Sequence, residues 1–169
     1  MTVSEVAAYL RAHDKYLILT HRRPDGDTLG CAAALCAMLR QTAGILYNRE
    51  TTEHFESYVE QYWVADDFDY KTVVSVDLAA LSLFPDNAEM FKTRVDLAID
   101  HHPSYEGFGK ESCVHPECAA CGEILCELAQ ELGYDAGFGP GKYAEHVMSY
   151  IMQEVEKRGW QNKPKIADR

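Results

Sequence analysis

Three short apolar runs, each leading into acidic or imidazole side chains, are the feature that most constrains the fold. They occupy residues 15–20, 71–77 and 94–100, and stretches rich in helix-forming residues accompany them. Strands that alternate with helices predict an α/β domain with a mainly parallel sheet flanked by helices. In such a sheet the carboxyl ends of the strands share one edge, and ligands bind there. We therefore expect a functional site at that edge.

Capping and stop signals predict where the helices begin and end. Thr2 and Glu5 have the spacing of a capping box at the start of the first helix. Asp27 or Thr28 is expected to cap the second helix, and Gly44 to end it. The predicted helices cover 3–13, 28–44, 118–133 (ended by Gly133) and 142–159, with a short helix within 78–93. A further strand is predicted over 43–48, and residues 49–70 are expected to form mixed structure.

The polar residues that follow the three strands are those that bind metals. They are His21 and Asp25 after the first strand, Asp77 at the end of the second, and Asp100, His101 and His102 at the end of the third. Carboxylates gathered at one edge repel each other unless cations lie among them. Mixed Asp and His ligands suit Mn²⁺, Zn²⁺ or Fe²⁺ better than Ca²⁺. Two such ions about 3.5–4 Å apart activate a water and stabilise the leaving oxygen in phosphoester cleavage.

Each of these motifs also has a purely structural interpretation. The stretch Asp25-Gly26-Asp27 is typical of a turn, and Asp77 is suited to capping a helix that follows a strand. Adjacent histidines before a proline are compatible with an ordinary loop. What favours a site is the combination, because unrelated turns would not all fall at the carboxyl ends of strands.

Three segments together resemble a known family. "HRRPDGDTLG", "VVSVD" and "LAIDHHPS" are similar to the first three motifs of the DHH-family phosphoesterases, the group that contains RecJ-type exonucleases. The pattern most resembles the oligoribonuclease and pAp-phosphatase branch. "CGEILCELAQELG" also resembles the helix that follows the DHH motif there, so the resemblance covers about residues 3–135.

The resemblance implies a site with two manganese ions, for which Mg²⁺, Fe²⁺ or Zn²⁺ could substitute. It implies that one ion is held by His21, Asp25 and Asp77, and the other by Asp27, Asp77 and His101. Asp77 would then be the carboxylate that bridges the two ions. Gly26 is expected to permit the tight turn of the first motif.

The same resemblance implies the other roles at the site and the substrate. Asp100 would support the cluster, and His102 would contact the substrate phosphate. The implied activity is a Mn²⁺-dependent phosphodiesterase or phosphatase that acts on short oligonucleotides or pAp-like nucleotides.

Two parts of the family pattern differ in this sequence. A fourth-motif Asp is not found, and Glu156 is the acidic residue nearest its expected position, although helical periodicity favours the solvated face for Glu156. We therefore expect a DHH core over 1–135 and a divergent helical tail over 136–169, without the DHHA1 domain. A homodimer or a partner chain could supply DHHA1. The alternative is a truncated or degenerate module that binds metal and nucleotide with little or no turnover.

Composition limits the classes of partner. The formal net charge of −11 argues against duplex DNA binding, which needs a basic face. No apolar run is long enough to predict a membrane span, and the N-terminus does not resemble a secretory signal. Reduced cysteines in the cytoplasm are then the expected state of the six thiols. His115, Cys118 and Cys121 have ligand spacing for a structural zinc, but helical periodicity favours Cys121 as a packing residue.

Overall fold

A computed structural model describes residues 1–65 and 67–134 of the chain, within one compact unit, Met1–Tyr134. Its centre is a sheet of six strands in the order β3-β2-β1-β4-β5-β6, in which every neighbouring pair is parallel. The strands are β1 (Tyr16–Leu19), β2 (Ala43–Leu46), β3 (Trp63–Val64), β4 (Thr72–Val76), β5 (Leu97–Asp100) and β6 (Glu111–Val114). The predicted α/β class with a parallel sheet is confirmed.

In the described residues, four α-helices accompany the sheet: α1 (Val3–Ala12), α2 (Gly26–Leu39), α3 (Glu53–Val59) and α4 (Cys121–Leu132). The capping box of α1 is formed as predicted, since the Glu5 amide donates to Thr2 Oγ1 and the Thr2 amide to Glu5 Oε2. Gly133 ends α4 in the left-handed conformation, with φ of 67°. A glycine suits this position because it has no Cβ to clash there.

The predicted limits of the second helix were wrong at both ends. Asp25 caps α2, because its Oδ1 accepts from the amides of Asp27 and Thr28 at 3.0 and 3.2 Å. Gly44 lies inside β2 and does not end the helix. A Cβ on Gly44 would lie 1.9 Å from Val64 Cγ1, so this glycine serves the close approach of β2 and β3.

Two further segments differ from the sequence prediction. The expected helix between β4 and β5 consists of two short 3-10 segments, Leu81–Leu83 and Asp86–Phe91, which are separated at Pro85. Proline fixes φ and lacks an amide donor, so it interrupts a continuous helix here. Strand β6 was not predicted, because Glu111–Val114 is short and partly exposed and lacks a strong apolar pattern.

Both faces of the sheet are buried, and this explains its continuous apolar runs. Along β1, Tyr16 and Ile18 pack into one core with α1, α2 and α4. Leu17 and Leu19 pack into a second core with the segment that joins β4 to β5. Every residue of β1 and β4 is buried. The metal-binding side chains therefore lie at the last residue of a strand or beyond it, at the carboxyl edge of the sheet.

Several predictions concern residues outside the described part of the chain. The helix over 142–159, the tail over 136–169 and Glu156 all belong to that group, so they stay predictions. Within residues 1–65 and 67–134, none of the helices combines the length and the apolar character that a membrane span requires.

Candidate metal centre

The ends of β1, β4 and β5 bring the metal-binding side chains to one edge of the sheet. Two groups of ligand atoms, each with all atoms within 4.8 Å of one another, form there in the described part of the chain. One group comprises His21, Asp25 and Asp77, and the other comprises Asp77, His101 and His102. Asp77 belongs to both groups, as expected of a residue between two ions.

The two carboxylate oxygens of Asp77 face different imidazoles. Asp77 Oδ2 lies 3.8 Å from His21 Nε2, and Asp77 Oδ1 lies 3.6 Å from His101 Nε2. Asp77 has the left-handed φ of 53°, and its amide donates to the carbonyl oxygen of Ile99 at 2.9 Å. This conformation costs an ordinary L-residue roughly 1–2 kcal/mol, although Asp tolerates it better than most. The hydrogen bond to Ile99 helps to hold the turn that follows β4.

The surroundings of Asp77 fit a cation. The side chain of Asp77 is 4% exposed, and its buried Oδ1 accepts no hydrogen bond from the described residues. Burial, together with the nearby carboxylates of Asp27 and Asp25, raises the pKa of Asp77 to about 8. A buried oxygen without a donor and several neighbouring carboxylates leave this edge short of positive charge. Divalent cations among these side chains would supply it.

The imidazole rings present the nitrogen that a metal requires. His21 Nδ1 lies 2.8 Å from the carbonyl oxygen of Arg22, and His101 Nδ1 lies 3.1 Å from that of Cys118. A carbonyl oxygen only accepts, so each Nδ1 carries a proton, and in the neutral ring Nε2 holds the lone pair. Metal-binding histidines are commonly fixed by such a hydrogen bond on the far side of the ring.

Asp100 organises the two histidines that follow β5. Its Oδ1 accepts from the amides of His101 and His102 at 2.6 and 2.9 Å, and from His102 Nδ1 at 2.7 Å. Asp100 is fully buried, whereas 41% of the His102 side chain is exposed. His102 is therefore held by a buried carboxylate at the open side of the site. The supporting role expected of Asp100 and the substrate contact expected of His102 stay predictions.

Asp27 has a structural function that the sequence did not indicate. Its Oδ2 accepts from the Cys121 amide at 2.8 Å, and its Oδ1 from the Gly122 amide at 3.0 Å. Ala120, the residue at the N-cap of α4, offers no capping side chain, so Asp27 of α2 caps α4 from a distance. Asp27 Oδ2 also lies 3.8 Å from His101 Nε2. A carboxylate has about four lone pairs, so it can accept these bonds and still bind a cation.

The His21 ring lies beside the Asp25 carboxylate. His21 Nε2 lies 3.7 Å from Asp25 Oδ1, and His21 together with the amides at the start of α2 lowers the pKa of Asp25 to about 2. Burial opposes the protonation of His21, but the hydrogen bonds with Asp25 and with the Arg22 carbonyl oxygen, together with the charges of Asp25 and Asp77, outweigh it and raise the pKa of His21.

The expected role of Gly26 was wrong. Gly26 is the first residue of α2 and does not have a positive φ. The left-handed residue of this loop is Arg23, with φ of 51°. The turn is therefore completed before the helix begins, and a glycine is not required at position 26 for that reason.

Two buried polar residues that the sequence analysis did not assign to the site, Asn48 and Thr28, hold its loops in place. Asn48 Nδ2 donates to Thr20 Oγ1 at 3.0 Å and to the His21 carbonyl oxygen at 2.9 Å. Thr28 Oγ1 donates to the carbonyl oxygen of Val76 at 3.0 Å. These bonds link the first motif to β2 and β4. Nothing local in the sequence indicates them, because each joins residues at least 27 positions apart.

The alternative zinc site is not assembled. Among the residues that the structure describes, His115, Cys118 and Cys121 do not form a group of neighbouring ligand atoms. His115 Nδ1 pairs with Glu117 at 2.7 Å, and Cys121 is fully buried against the carbonyl oxygen of Ile99. Cys121 is therefore a packing residue.

Relatives of known description match parts of this chain. A probable bifunctional oligoribonuclease and PAP phosphatase, NrnA, from Streptococcus mutans is 27% identical over 132 residues, which are 73% of this chain and 41% of the relative. The lysine 5,6-aminomutase beta subunit of Fusobacterium nucleatum is 61% identical over 36 residues, which are 21% of this chain and 14% of that protein. The chain thus spans less than half the length of either relative.

A solved structure and a model of a protein family also match this chain. The crystal structure of an exopolyphosphatase-related protein from Bacteroides fragilis superposes with a TM-score of 0.63 at 20% identity, over 78% of this chain and 44% of that one. At this identity the likeness concerns the fold. The model described as "DHH family, N-terminal domain" matches residues 15–153. Since that range is most of the sequence and contains all three motifs, this chain belongs to the DHH family.

Proposed function

We propose that this chain is a phosphoesterase that cleaves short oligonucleotides or pAp-like nucleotides with two divalent cations, preferably manganese. The observation that carries the proposal is the position of Asp77. Its two oxygens face His21 and His101 on opposite sides, and one of them is buried without a hydrogen-bond donor. The match to NrnA of Streptococcus mutans supports the nucleotide substrate class.

Different residues around Asp77 would bind each of the two ions. His21 and Asp25 would hold one ion and Asp27 and His101 the other, with Asp77 shared. When bound, the two ions would supply the charge that holds the scissile phosphoester and stabilises the oxygen that leaves.

His102 is placed to act on the substrate itself. Its Nδ1–H donates to the buried Asp100, and this bond orients the ring. A protonated His102 would then donate from Nε2 to a phosphate oxygen while it keeps its bond to Asp100. The chain would thereby position the substrate with a group that is not a metal ligand.

The test is metal-dependent hydrolysis by the purified chain. With Mn²⁺ we expect cleavage of bis-p-nitrophenyl phosphate and of pAp, and no cleavage with a chelator. Asp77→Asn should lower the rate at least ~100-fold, because it removes a ligand of both ions. Asp69→Asn is the control, since Asp69 pairs with Lys15 at the opposite edge of the sheet. Hydrolysis without metal, or equal rates in both variants, would contradict the proposal.

Mn²⁺ should also stabilise the fold, by about 2.7 kcal/mol at a hundredfold excess over Kd. Asp77→Asn should lose most of the resulting rise in Tm, and Asp69→Asn should keep it. Differential scanning fluorimetry with and without Mn²⁺ measures this shift independently of turnover.

A second candidate is a module that binds one ion tightly and turns over little. The observation that favours it is Asp27, both of whose oxygens already accept hydrogen bonds from α4. A second ion near His101 would have to share those oxygens. Calorimetric titration with Mn²⁺ separates the candidates, because the phosphoesterase requires two ions per chain and the module binds one.

We further propose that the protein acts in the cytoplasm and works as a homodimer or together with a partner chain. All six cysteines are free thiols, which accords with a reducing compartment. Chemical cross-linking of the purified chain, with and without nucleotide, tests for the second copy.

A further inference from the structure

Arg23 lies between two of the candidate ligands and has an unusual backbone. It is two residues from His21 and two from Asp25, so its Cα lies within roughly 7 Å of the Cα of each. Its φ of 51° is left-handed, and its side chain is exposed. An arginine in this conformation is uncommon, because the Cβ is crowded by the backbone.

Contacts on both sides hold Arg23 in this conformation. The Arg22 amide donates to the carbonyl oxygen of Leu83 at 2.6 Å, and the Arg23 amide donates to Glu50 Oε2 at 3.2 Å. The carbonyl oxygen of His21 accepts from Asn48, as described above. A strained conformation persists only where its surroundings determine it, and such residues cluster at functional sites. The loop therefore has one shape, and Arg23 has a fixed place beside the metal centre.

The two arginines of this loop differ in their partners. Arg22 forms ion pairs with Glu50 and Asp86, which satisfy its charge within the protein. Arg23 forms no ion pair with any residue in the part of the chain that the structure describes. In a chain of net charge −11, an arginine next to the candidate site, held by its backbone and without an ion pair to any described residue, is an attractive position for an anion.

We propose that Arg23 binds a second phosphate of the substrate, adjacent to the scissile phosphoester. Guanidinium groups hold phosphates through two parallel hydrogen bonds, which fix orientation as well as position. The preferred substrate class is therefore a nucleotide with two phosphate groups close together, and single phosphoesters are disfavoured. This inference rests on the proposed phosphoesterase function and adds the group that selects the substrate.

The test compares two substrates in matched variants. For Arg23→Gln, we expect kcat/KM for pAp, which carries two phosphates, to fall about tenfold. The rate on bis-p-nitrophenyl phosphate, which carries one, should stay within twofold. Arg23→Lys should retain part of the activity on pAp. Arg40→Gln is the control, because Arg40 is also exposed, has a φ of 56° and lies at the opposite edge of the sheet, just before β2.

Glycine substitutions at positions 23 and 40 distinguish the relief of backbone strain from the loss of phosphate binding. Arg23→Gly and Arg40→Gly should both raise Tm by roughly 2 °C, because glycine adopts a positive φ at little cost. Only Arg23→Gly should lower kcat/KM for pAp. A gain in stability with unchanged pAp kinetics would show that Arg23 is merely a turn residue, and would overturn the inference.

Binding measurements keep the inference testable if turnover is absent. Calorimetric titration of pAp into the Mn²⁺-loaded chain should give an affinity that falls about tenfold in Arg23→Gln and is unchanged in Arg40→Gln. If pAp is not hydrolysed but its affinity falls only in Arg23→Gln, the proposed function is contradicted and the role of Arg23 is supported. Equal losses for both substrates, or for both arginines, would contradict the role of Arg23.

Discussion

At the scale of single residues, Asp77 combines features that are costly without a cation. It is buried and left-handed, it lies near other carboxylates, and one of its oxygens lacks a donor. In the metal-free protein the burial of Asp77, with Asp27 and Asp25 nearby, raises its pKa to about 8. The folded protein thus favours a protonated Asp77 carboxyl when no metal ion is bound.

This pKa gives a prediction for stability against pH. An unfolded chain releases the Asp77 proton near pH 3.8, and the metal-free folded chain near pH 8. The folded state therefore binds more protons between these values, so its free energy of unfolding should fall as pH rises from about 4 to about 8. The raised pKa of His21 acts in the same direction. The lowered pKa of Asp25 acts below this window, between about 2 and 3.8.

Urea unfolding at several pH values from 5 to 8, with chelator present, measures this slope. Asp77→Asn should flatten it, since the amide does not titrate. Saturating Mn²⁺ should reverse the slope, because a metal needs the deprotonated carboxylate and binds more tightly as pH rises. A metal-free stability that increases through this range in the wild-type chain would contradict the prediction.

At the scale of elements, two helices begin at the site, and each is capped by one of its acids. Asp25 caps α2, and Asp27 caps α4 across the interface between the two helices. The helix N-termini carry partial positive charge, which stabilises carboxylates placed there. The docking of α4 against α2 therefore positions the predicted ligand Asp27.

Gly122 offers a matched test of this coupling. Gly122→Pro removes the amide that donates to Asp27 Oδ1, at a position in the first turn where proline is compatible with a helix. Gly122→Ala keeps the amide and places its Cβ at an ordinary 3.4 Å from that oxygen. We expect Gly122→Pro to weaken one of two Mn²⁺ sites about tenfold, in line with the effect of losing a hydrogen bond that orients a ligand.

Calorimetric titration with Mn²⁺ measures both sites of the wild-type chain and of the two variants. Gly122→Ala should bind as the wild type does, and circular dichroism should show α4 intact in both. If Gly122→Pro left both affinities unchanged, or weakened both sites equally, Asp27 would not depend on α4 for its position.

At the scale of the whole molecule, a strongly acidic chain gathers its functional groups at one edge of a sheet buried on both faces. The net charge of −11 disfavours a polyanion over most of the surface, so the proposed phosphorylated substrate would depend on cations at the site for its attraction. The DHH domain spans less than half of the relatives that it matches.

Glu156, which lies outside the described residues, tests whether the tail contributes a ligand. The helical pattern favours the solvated face for Glu156, so Glu156→Gln should leave Mn²⁺-dependent hydrolysis of bis-p-nitrophenyl phosphate unchanged within about twofold. A sharp fall in rate would mean that its carboxylate replaces the fourth-motif Asp. Asp77→Asn, assayed alongside, sets the level expected for the loss of a ligand.

Local sequence was sufficient for the features that depend on neighbouring residues. The capping box of Thr2 and Glu5, the stop at Gly133 and the apolar strands were predictable, because backbone hydrogen bonding and burial act over a few residues. The edge on which His21, Asp77 and His101 meet was also predictable, because parallel strands align their carboxyl ends. The family motifs are short segments of the same kind.

Contacts between distant segments required the tertiary structure. Asp27 accepts from Cys121, 94 positions away, and Gly44 is needed because β3 packs against it. The left-handed Arg23 and Asp77 depend on Glu50 and Ile99, which lie in other parts of the chain. The residue types at the centre were thus determined by the sequence. Their orientation was decided by tertiary packing, because each is held by hydrogen bonds whose partners are distant along the chain.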